Sequence, residues 1–341
     1  MDFLIAILKK LNLVSVPLLD TQPQICRTRA LLEANKLGLF TALENSGKGL
    51  GSDEVAQRIG ISREGADVLL IALEKSGYLE KRKDRYKNGR WVKRWIIDPR
   101  RGIANFLRLQ LHTWNRLSDL EVPLRTGKPV VDFHKHEVSV HSERQEIYTK
   151  AMREMSRQLI PEFLKKVKLP NDAKRLLDIG GAHGEYSRAL VQKFPGLKAT
   201  ILDFAGPIAT AQRILKQKGN PEALELRVGD ALNDNIGTGW DAVLLVNMVH
   251  LFNFKQNRKL ISRIHEALSP QGVIIVVDQF MGIGRLQDKF VSLISLNYFT
   301  LGGKCYHREE MRHLFKTAGF NRIMVKPFRL ISPTVLFEGW K

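Results

Sequence analysis

The first chemical signal is a set of carboxylates, each closing an apolar stretch, with a short glycine run beside the first. One stretch ends Leu176-Leu177-Asp178-Ile179 and turns through Gly180-Gly181-Ala182-His183-Gly184 straight into a helical pattern. Glycines at such a turn let a ligand approach the backbone where any Cβ would collide with it. A second stretch ends Ile201-Leu202-Asp203, 25 residues after Asp178, where a carboxylate can accept hydrogen bonds from both ribose hydroxyls of a nucleoside. A third ends Val228-Gly229-Asp230-Ala231, which sets Asp230 and the adjoining Ala231 against the base edge of the same ligand. Together Asp178, Gly180, Gly184, Asp203 and Asp230 describe one adenosine-shaped slot. A dinucleotide pyrophosphate calls for G-x-G-x-x-G, and no register of this glycine run supplies it, so nicotinamide and flavin cofactors are disfavoured.

A second signal lies further along the chain. The fourth apolar stretch, Ala242 to Val246, runs through Asn247-Met248-Val249 into His250, and the fifth, Val273 to Val277, ends in Asp278. A carboxylate beside an imidazole fixes its tautomer and stabilises its protonated form, which is the arrangement of a general base. No clustered carboxylate pair accompanies the histidine, so no metal site is expected.

These residues need a scaffold that brings strand ends together. From Arg175 onward apolar strands alternate with helices: strands at Arg175 to Ile179, Lys198 to Leu202, Leu224 to Val228, Ala242 to Val246 and Val273 to Val277, and helices at Glu185 to Lys193, Ile208 to Lys218 and Asn257 to Leu268. Such alternation predicts a parallel sheet with helices on both faces, and ligands of such sheets bind beyond the carboxyl ends of the strands where strand order reverses.

The N-terminal part has another texture. Helical spacing up to about residue 37 is followed by helix, turn, helix and two short strands, with Ser52 and Ser62 placed to cap the two helices. That order describes a winged helix. Between Leu79 and Arg101 ten basic residues face only Glu80, Asp84 and Asp98, which makes the wing positive. Such a run serves phosphate contact or is a solvated wing tip, and nothing in it specifies a base-reading helix. Residues 102 to 170 read as mostly helical, with a long amphipathic helix from Glu143 to Lys168.

At 341 residues and 44% hydrophobic composition the chain is long enough for two packed cores. Cys26 and Cys305, its only cysteines, are too few for a disulfide framework. The start Met1-Asp2-Phe3 is acidic where a secretory signal would be basic, and its apolar run breaks at Lys9-Lys10, so cytoplasmic residence is expected. A net charge of +19 attracts nucleic acid, anionic lipid or acidic partners without choosing among them.

At the glycine run, the strand-end acids and His250 the sequence resembles the plant-type and bacterial small-molecule O-methyltransferases, the acetylserotonin and caffeate enzymes among them. The resemblance implies an α/β fold: a Rossmann-like class I methyltransferase domain at 171–341, a linker helix region at 136–170, and an all-α, winged-helix-like dimerisation domain at 1–135. It implies S-adenosylmethionine as cofactor, bound by Asp178, Gly180, Gly184, Asp203, Asp230, Ala231, Asn247 and Phe252. His250 becomes the catalytic base, with Leu251-Phe252 in place of the family's Asp-Trp pair, and Asp278 the acid that orients it. The segment Tyr148 to Ser156 and the stretch Leu286 to Tyr298 shape the acceptor pocket, with Met152, Met155 and Asn297 as substrate residues. A second orienting glutamate follows Gly-Gly-Lys in the family; here Gly302-Gly303-Lys304 leads to Cys305.

The implied activity is methyl transfer to a hydroxyl of a small, aromatic or secondary-metabolite acceptor by a homodimer. Two alternatives stand beside it. The Cys305 departure admits a methyltransferase fold turned to hydroxylation, decarboxylation or cyclisation, and the basic wing admits a nucleic-acid-binding regulator or an RNA methyltransferase. No specific nucleic acid is expected, and the basic face admits contact with an anionic membrane surface.

Overall fold

The computed structural model describes residues 21–131, 133, 142–217, 222–328 and 333–341. The expectations for the first twenty residues lie outside these. The chain divides into two compact units, Met1–Leu111 and His112–Lys341.

In the first unit α1 (Thr21–Lys36) and α2 (Leu39–Asn45) are separated by Gly38, whose left-handed φ of 76° breaks the helix. Two helices follow, α3 (Ser52–Ile59) and α4 (Arg63–Lys75), then an antiparallel pair, β1 (Leu79–Arg82) and β2 (Arg85–Asn88). Ser62 caps α4 by accepting the Gly65 amide. Ser52 does not cap α3: the cap position falls on Gly51, whose amide donates to the Glu54 carboxylate, so the acid three residues on takes over the task. Leu39, Phe40, Val55, Leu70 and Leu73 close one small core. A helical turn, Arg90–Val92, widens into a π-helical stretch, Lys93–Ile97, and α5 (Ala104–Leu117) leads out of the unit.

After α6 (Glu121–Thr126) and α7 (Glu143–Lys166), the second unit alternates as the apolar pattern requires: β3 (Arg175–Ile179), α8 (Glu185–Lys193), β4 (Lys198–Asp203), α9 (Ala205–Gln217), β5 (Leu224–Val228), β6 (Trp240–Val246), α10 (Phe254–Ala267) and β7 (Leu268–Met281). Then come α11 (Arg285–Phe299), β8 (Tyr306–His307), α12 (Arg308–Ala318), β9 (Arg322–Pro327) and β10 (Thr334–Trp340). The strand order is β5-β4-β3-β6-β7-β10-β9, with β8 paired to the end of β7. The sheet is not wholly parallel: β10 runs antiparallel to β7 and to β9. This C-terminal hairpin escaped the parallel reading because its two strands follow one another with no helix between them.

Successive strand residues point to opposite faces. Val243 and Leu245 join Ile274 and Val276 under α10 and α12, while Ala242 and Leu244 join Val273 and Ile275 under α7, α8 and α9. Burial on both sides explains why these strands read as unbroken apolar runs. Strand order reverses between β3 and β6, so the carboxyl ends of β3, β4 and β6 border one crevice.

Candidate active site

A cavity opens at that crevice, about 690 Å³ when the open space at its mouth is included. Of the candidate residues, Asp178, Gly180, Asp203, Asn247, Phe252 and Met152 line it. Gly184 sits behind the turn as the left-handed N-cap of α8. Asp230 turns both carboxylate oxygens on its own loop, accepting from the Leu232 amide and the Asn233 side chain, and neither it nor Ala231 lines the cavity. Met155 and Asn297 lie off the cavity wall as well. Asn297 accepts a hydrogen bond at 2.7 Å from the buried Arg116, whose guanidinium also donates to Thr300 Oγ1.

The turn after β3 is built for close approach. Gly180 has φ 69°, and a Cβ there would run into the Met248 sulfur. Ala182 (φ 35°) and Asn247 (φ 53°) hold left-handed conformations without being glycine, which costs of order 1–3 kcal/mol each and marks a spot where surrounding contacts fix the backbone. For Ala182 one such contact is the Asp203 carboxylate, which accepts its amide at 2.9 Å and that of Phe204 at 2.7 Å. Burial nevertheless pushes Asp203 up to about 6, against the pull of those two amides. Asp178 rises to about 7, chiefly through burial, with the Ser187 hydrogen bond opposing and the Asp203 charge adding. Its Oδ2 accepts from Ser187 at 2.6 Å, while its Oδ1 and the Tyr186 hydroxyl, both on residues of the cavity wall, are buried without a partner. Leaving such atoms unmatched costs about 1–3 kcal/mol each, so a polar ligand in the cavity would relieve a real penalty.

The other half of the site forms where β6 and β7 end. His250 stands on a 3₁₀ turn, Val249–Leu251, and Asp278 follows Val277 on β7. Asp278 Oδ1 lies 2.6 Å from His250 Nδ1, and Oδ2 accepts the His250 amide at 3.3 Å. Both side chains are buried. With the carboxylate as acceptor, Nδ1 carries the proton of the neutral ring and Nε2 is left as the basic nitrogen. The imidazole itself is off the cavity wall, and Met248, Leu251 and Phe252 around it line that wall.

Further contributors hold this half together, Gln279 unmarked in the sequence and Tyr298 and Gly303 marked there only as parts of the acceptor stretch and of the lead-in to Cys305. Tyr298 stacks on the His250 ring, with centroids 3.7 Å apart and planes 17° from parallel. Gln279 accepts from the Tyr298 hydroxyl at 2.8 Å and donates to Asn247 Oδ1 at 3.1 Å. Gly303 packs on the His250 carbonyl so closely that a Cβ would overlap it, and that carbonyl accepts the Lys304 amide at 3.0 Å. Among the described residues no group of three His, Cys, Asp or Glu is arranged to hold a metal ion, and no helix is long and apolar enough to cross a membrane.

Comparison with known proteins settles the family. Residues 125–321, more than half of the chain, match the O-methyltransferase domain, and residues 19–96 match the O-methyltransferase dimerisation domain. The chain belongs to the O-methyltransferase family. It is 26% identical over 325 residues to the 3-hydroxy-5-methyl-1-naphthoate 3-O-methyltransferase of Streptomyces sahachiroi, covering 93% of this chain and 92% of that one. It is 28% identical over 324 residues to the tetracenomycin polyketide synthesis 8-O-methyl transferase TcmO of Streptomyces glaucescens, covering 92% and 93%. Among solved structures the mitomycin 7-O-methyltransferase MmcR superposes with TM-score 0.84 at 22% identity, covering 95% and 97%. Human N-acetylserotonin methyltransferase in complex with SAM superposes with TM-score 0.83 at 21% identity, covering 95% and 96%. The protein is an S-adenosylmethionine-dependent O-methyltransferase with a Rossmann-like α/β catalytic fold and an N-terminal dimerisation domain. The strained turn, the buried acids and the orphaned polar atoms fit that cofactor.

Proposed function

We propose that this O-methyltransferase methylates a hydroxyl of a small aromatic acceptor, with His250 as general base and Asp278 holding its tautomer. One observation carries the reading: the 2.6 Å contact between His250 Nδ1 and Asp278, made in a buried setting beside the cavity. S-adenosylmethionine, when bound, supplies an activated sulfonium methyl group. Asp203 holds the ribose, the Gly180 turn lets the cofactor lie against the backbone, and Phe252 packs on the base. Asp178, Gly184, Asp230, Ala231 and Asn247 frame the slot from behind and beside it, Asp230 by bracing its own loop. Met152 faces the acceptor from the cavity wall, and Met155 and Asn297 shape the acceptor side from off that wall. A phenol of pKa about 10 is largely neutral near pH 7, so removal of its proton by Nε2 helps by about 10²–10⁴-fold, while alignment of acceptor and methyl group supplies much of the rest.

Hydroxylated aromatic acceptors are favoured by the naphthoate and tetracenomycin enzymes to which the chain is similar over nearly its whole length. The test is formation of S-adenosylhomocysteine from S-adenosylmethionine with a panel of naphthols, hydroxynaphthoates and polycyclic phenols. Turnover with any of them, abolished in His250→Ala, supports the reading. Equal turnover in His250→Ala removes the base.

We further propose that the enzyme works as a cytoplasmic homodimer built through the 19–96 region, and that the basic face of that region rests on anionic membrane. Trp91 is 57% exposed with the Arg90 guanidinium 5.3 Å from its ring, and Lys93 and Arg94 are exposed beside it. An amphipathic aromatic ring among cations suits an anionic lipid surface, where each Lys or Arg contributes about 1 kcal/mol. Duplex nucleic acid is not favoured: the outer face of α4, which a winged helix would lay in a groove, presents Glu64, Val68 and Ile71. Cosedimentation with phosphatidylserine vesicles, lost in Trp91→Ala and absent with phosphatidylcholine alone, is the expected result. No binding to either vesicle overturns the membrane contact.

A further inference from the structure

Where the resemblance implies a second orienting acid this chain has Cys305, a buried residue whose amide donates to Ser295 Oγ at 3.1 Å. Burial and the Asp278 charge push its thiol up to about 12, so it stays neutral and cannot act as a carboxylate would. Asp278 therefore grips His250 from one edge only, through Nδ1 and the amide. A ring held at one edge can still swing about that contact.

The flat face of the ring is where a different constraint appears. Tyr298, near the C-terminal end of α11, lies almost parallel to it at 3.7 Å. The Gly302-Gly303-Lys304 segment ties the two backbones together: the Gly303 amide donates to the Tyr298 carbonyl at 3.0 Å and the Lys304 amide to the His250 carbonyl at 3.0 Å. The Tyr298 hydroxyl is itself anchored on Gln279, which reaches Asn247 on the cavity wall and whose amide donates to Asp278 Oδ1 at 2.8 Å. Both restraints on the imidazole thus run back to the end of β7.

We propose that Tyr298 is the positioning residue that fixes the plane of the His250 imidazole, an aromatic face taking the place of the missing second acid, and that its hydroxyl, through Gln279, keeps the base in register with Asn247 at the cofactor wall. The proposal rests on the reading of His250 as base. It predicts that the ring matters more than the hydroxyl. Tyr298→Phe keeps the face and should hold kcat within about threefold, whereas Tyr298→Leu, close in bulk but without the face, should lower kcat about tenfold or more, since misplacing a reacting group by an ångström costs up to about a hundredfold. Affinity for S-adenosylhomocysteine should stay within about twofold in both variants, so that the loss in Tyr298→Leu falls on kcat and not on cofactor binding.

The experiment is steady-state methyl transfer, resolved into kcat and KM, for wild type, Tyr298→Phe, Tyr298→Leu and His250→Ala, with S-adenosylhomocysteine affinity measured for each. The expected outcome is an unchanged affinity in the leucine variant, a lowered kcat, and rescue of kcat by phenylalanine. Tyr298→Leu with the wild-type kcat overturns the proposal, as does a phenylalanine variant as impaired as the leucine one. If His250→Ala itself keeps full turnover, the base reading has failed instead, which separates the two. Should Tyr298→Leu not fold, Tyr298→Met carries the same readouts.

Discussion

The two halves of the proposed active site, one for the cofactor and one for the base, are held in different ways. The cofactor half is built from neighbours in sequence: the Gly180 turn, the Ala182 amide on Asp203 and the Ser187 hydroxyl on Asp178 all come from β3, β4 and the helix between them. The base half is assembled from distant pieces: His250 meets Asp278 from 28 residues away, Tyr298 from α11 and the strap at Gly303. The first half is held chiefly by contacts within one strand-helix-strand stretch, the second by contacts between segments far apart in the chain. They should therefore fail separately, the first in binding and the second in turnover.

The largest expected effect breaks the base half alone. His250→Ala should lower kcat by about 10²–10⁴-fold while leaving affinity for S-adenosylhomocysteine within about twofold, measured by turnover and calorimetry side by side. Asp203→Ala breaks the other half. Losing hydrogen bonds to a charged acceptor should weaken cofactor binding about 10- to 100-fold, with kcat at saturating cofactor much less affected.

A smaller effect follows from the burial of Asp203, whose pKa rises to about 6. Ribose hydroxyls are best accepted by the ionised form, so binding must first remove that proton at low pH. Cofactor affinity should be constant above about pH 7 and fall towards tenfold per unit below about pH 6, and Asp203→Asn should show a flat profile. A steep fall retained in Asp203→Asn would move the titration to another group.

A further effect falls on stability and not on binding or turnover. Asp178 titrates near 7 in the folded chain against an ordinary carboxylate value of 3.8. Its protonated form is the one the fold prefers, so its contribution is full below about pH 4 and is lost as the pH rises towards 7. Asp178→Asn should flatten this decline, seen as urea midpoints that change less than those of wild type across that window. An unaltered pH dependence would show that Asp178 is ionised throughout.

The difference between the halves also explains what was legible in the sequence. Asp178, Gly180 and Asp203 announce themselves because their partners lie on the adjoining strand and turn, and a glycine run beside a strand-end acid is a local pattern. His250 and Asp278 were readable because each ends an apolar strand, and neighbouring parallel strands bring their ends together. The roles of Tyr298, Gln279 and the strap carried no such signal: Leu286 to Tyr298 stood out only as a stretch shaping the acceptor pocket and Gly302-Gly303-Lys304 only as the lead-in to Cys305, and what Tyr298 does depends on where α11 packs. Asp230 shows the converse, a strand-end acid that matches the pattern yet turns its carboxylate back onto its own loop. The β9–β10 hairpin was missed because the βα alternation stops after α12, although the alternating residues Ile323, Val325 and Leu336 carried a strand signal.

The most direct test of the separation is titration of S-adenosylhomocysteine into wild type, His250→Ala and Asp203→Ala under one set of conditions. The account predicts matching affinities for wild type and His250→Ala, and a clear weakening in Asp203→Ala alone. Loss of binding in His250→Ala comparable to that in Asp203→Ala would contradict it, because the base would then be part of the cofactor slot rather than a separately held half.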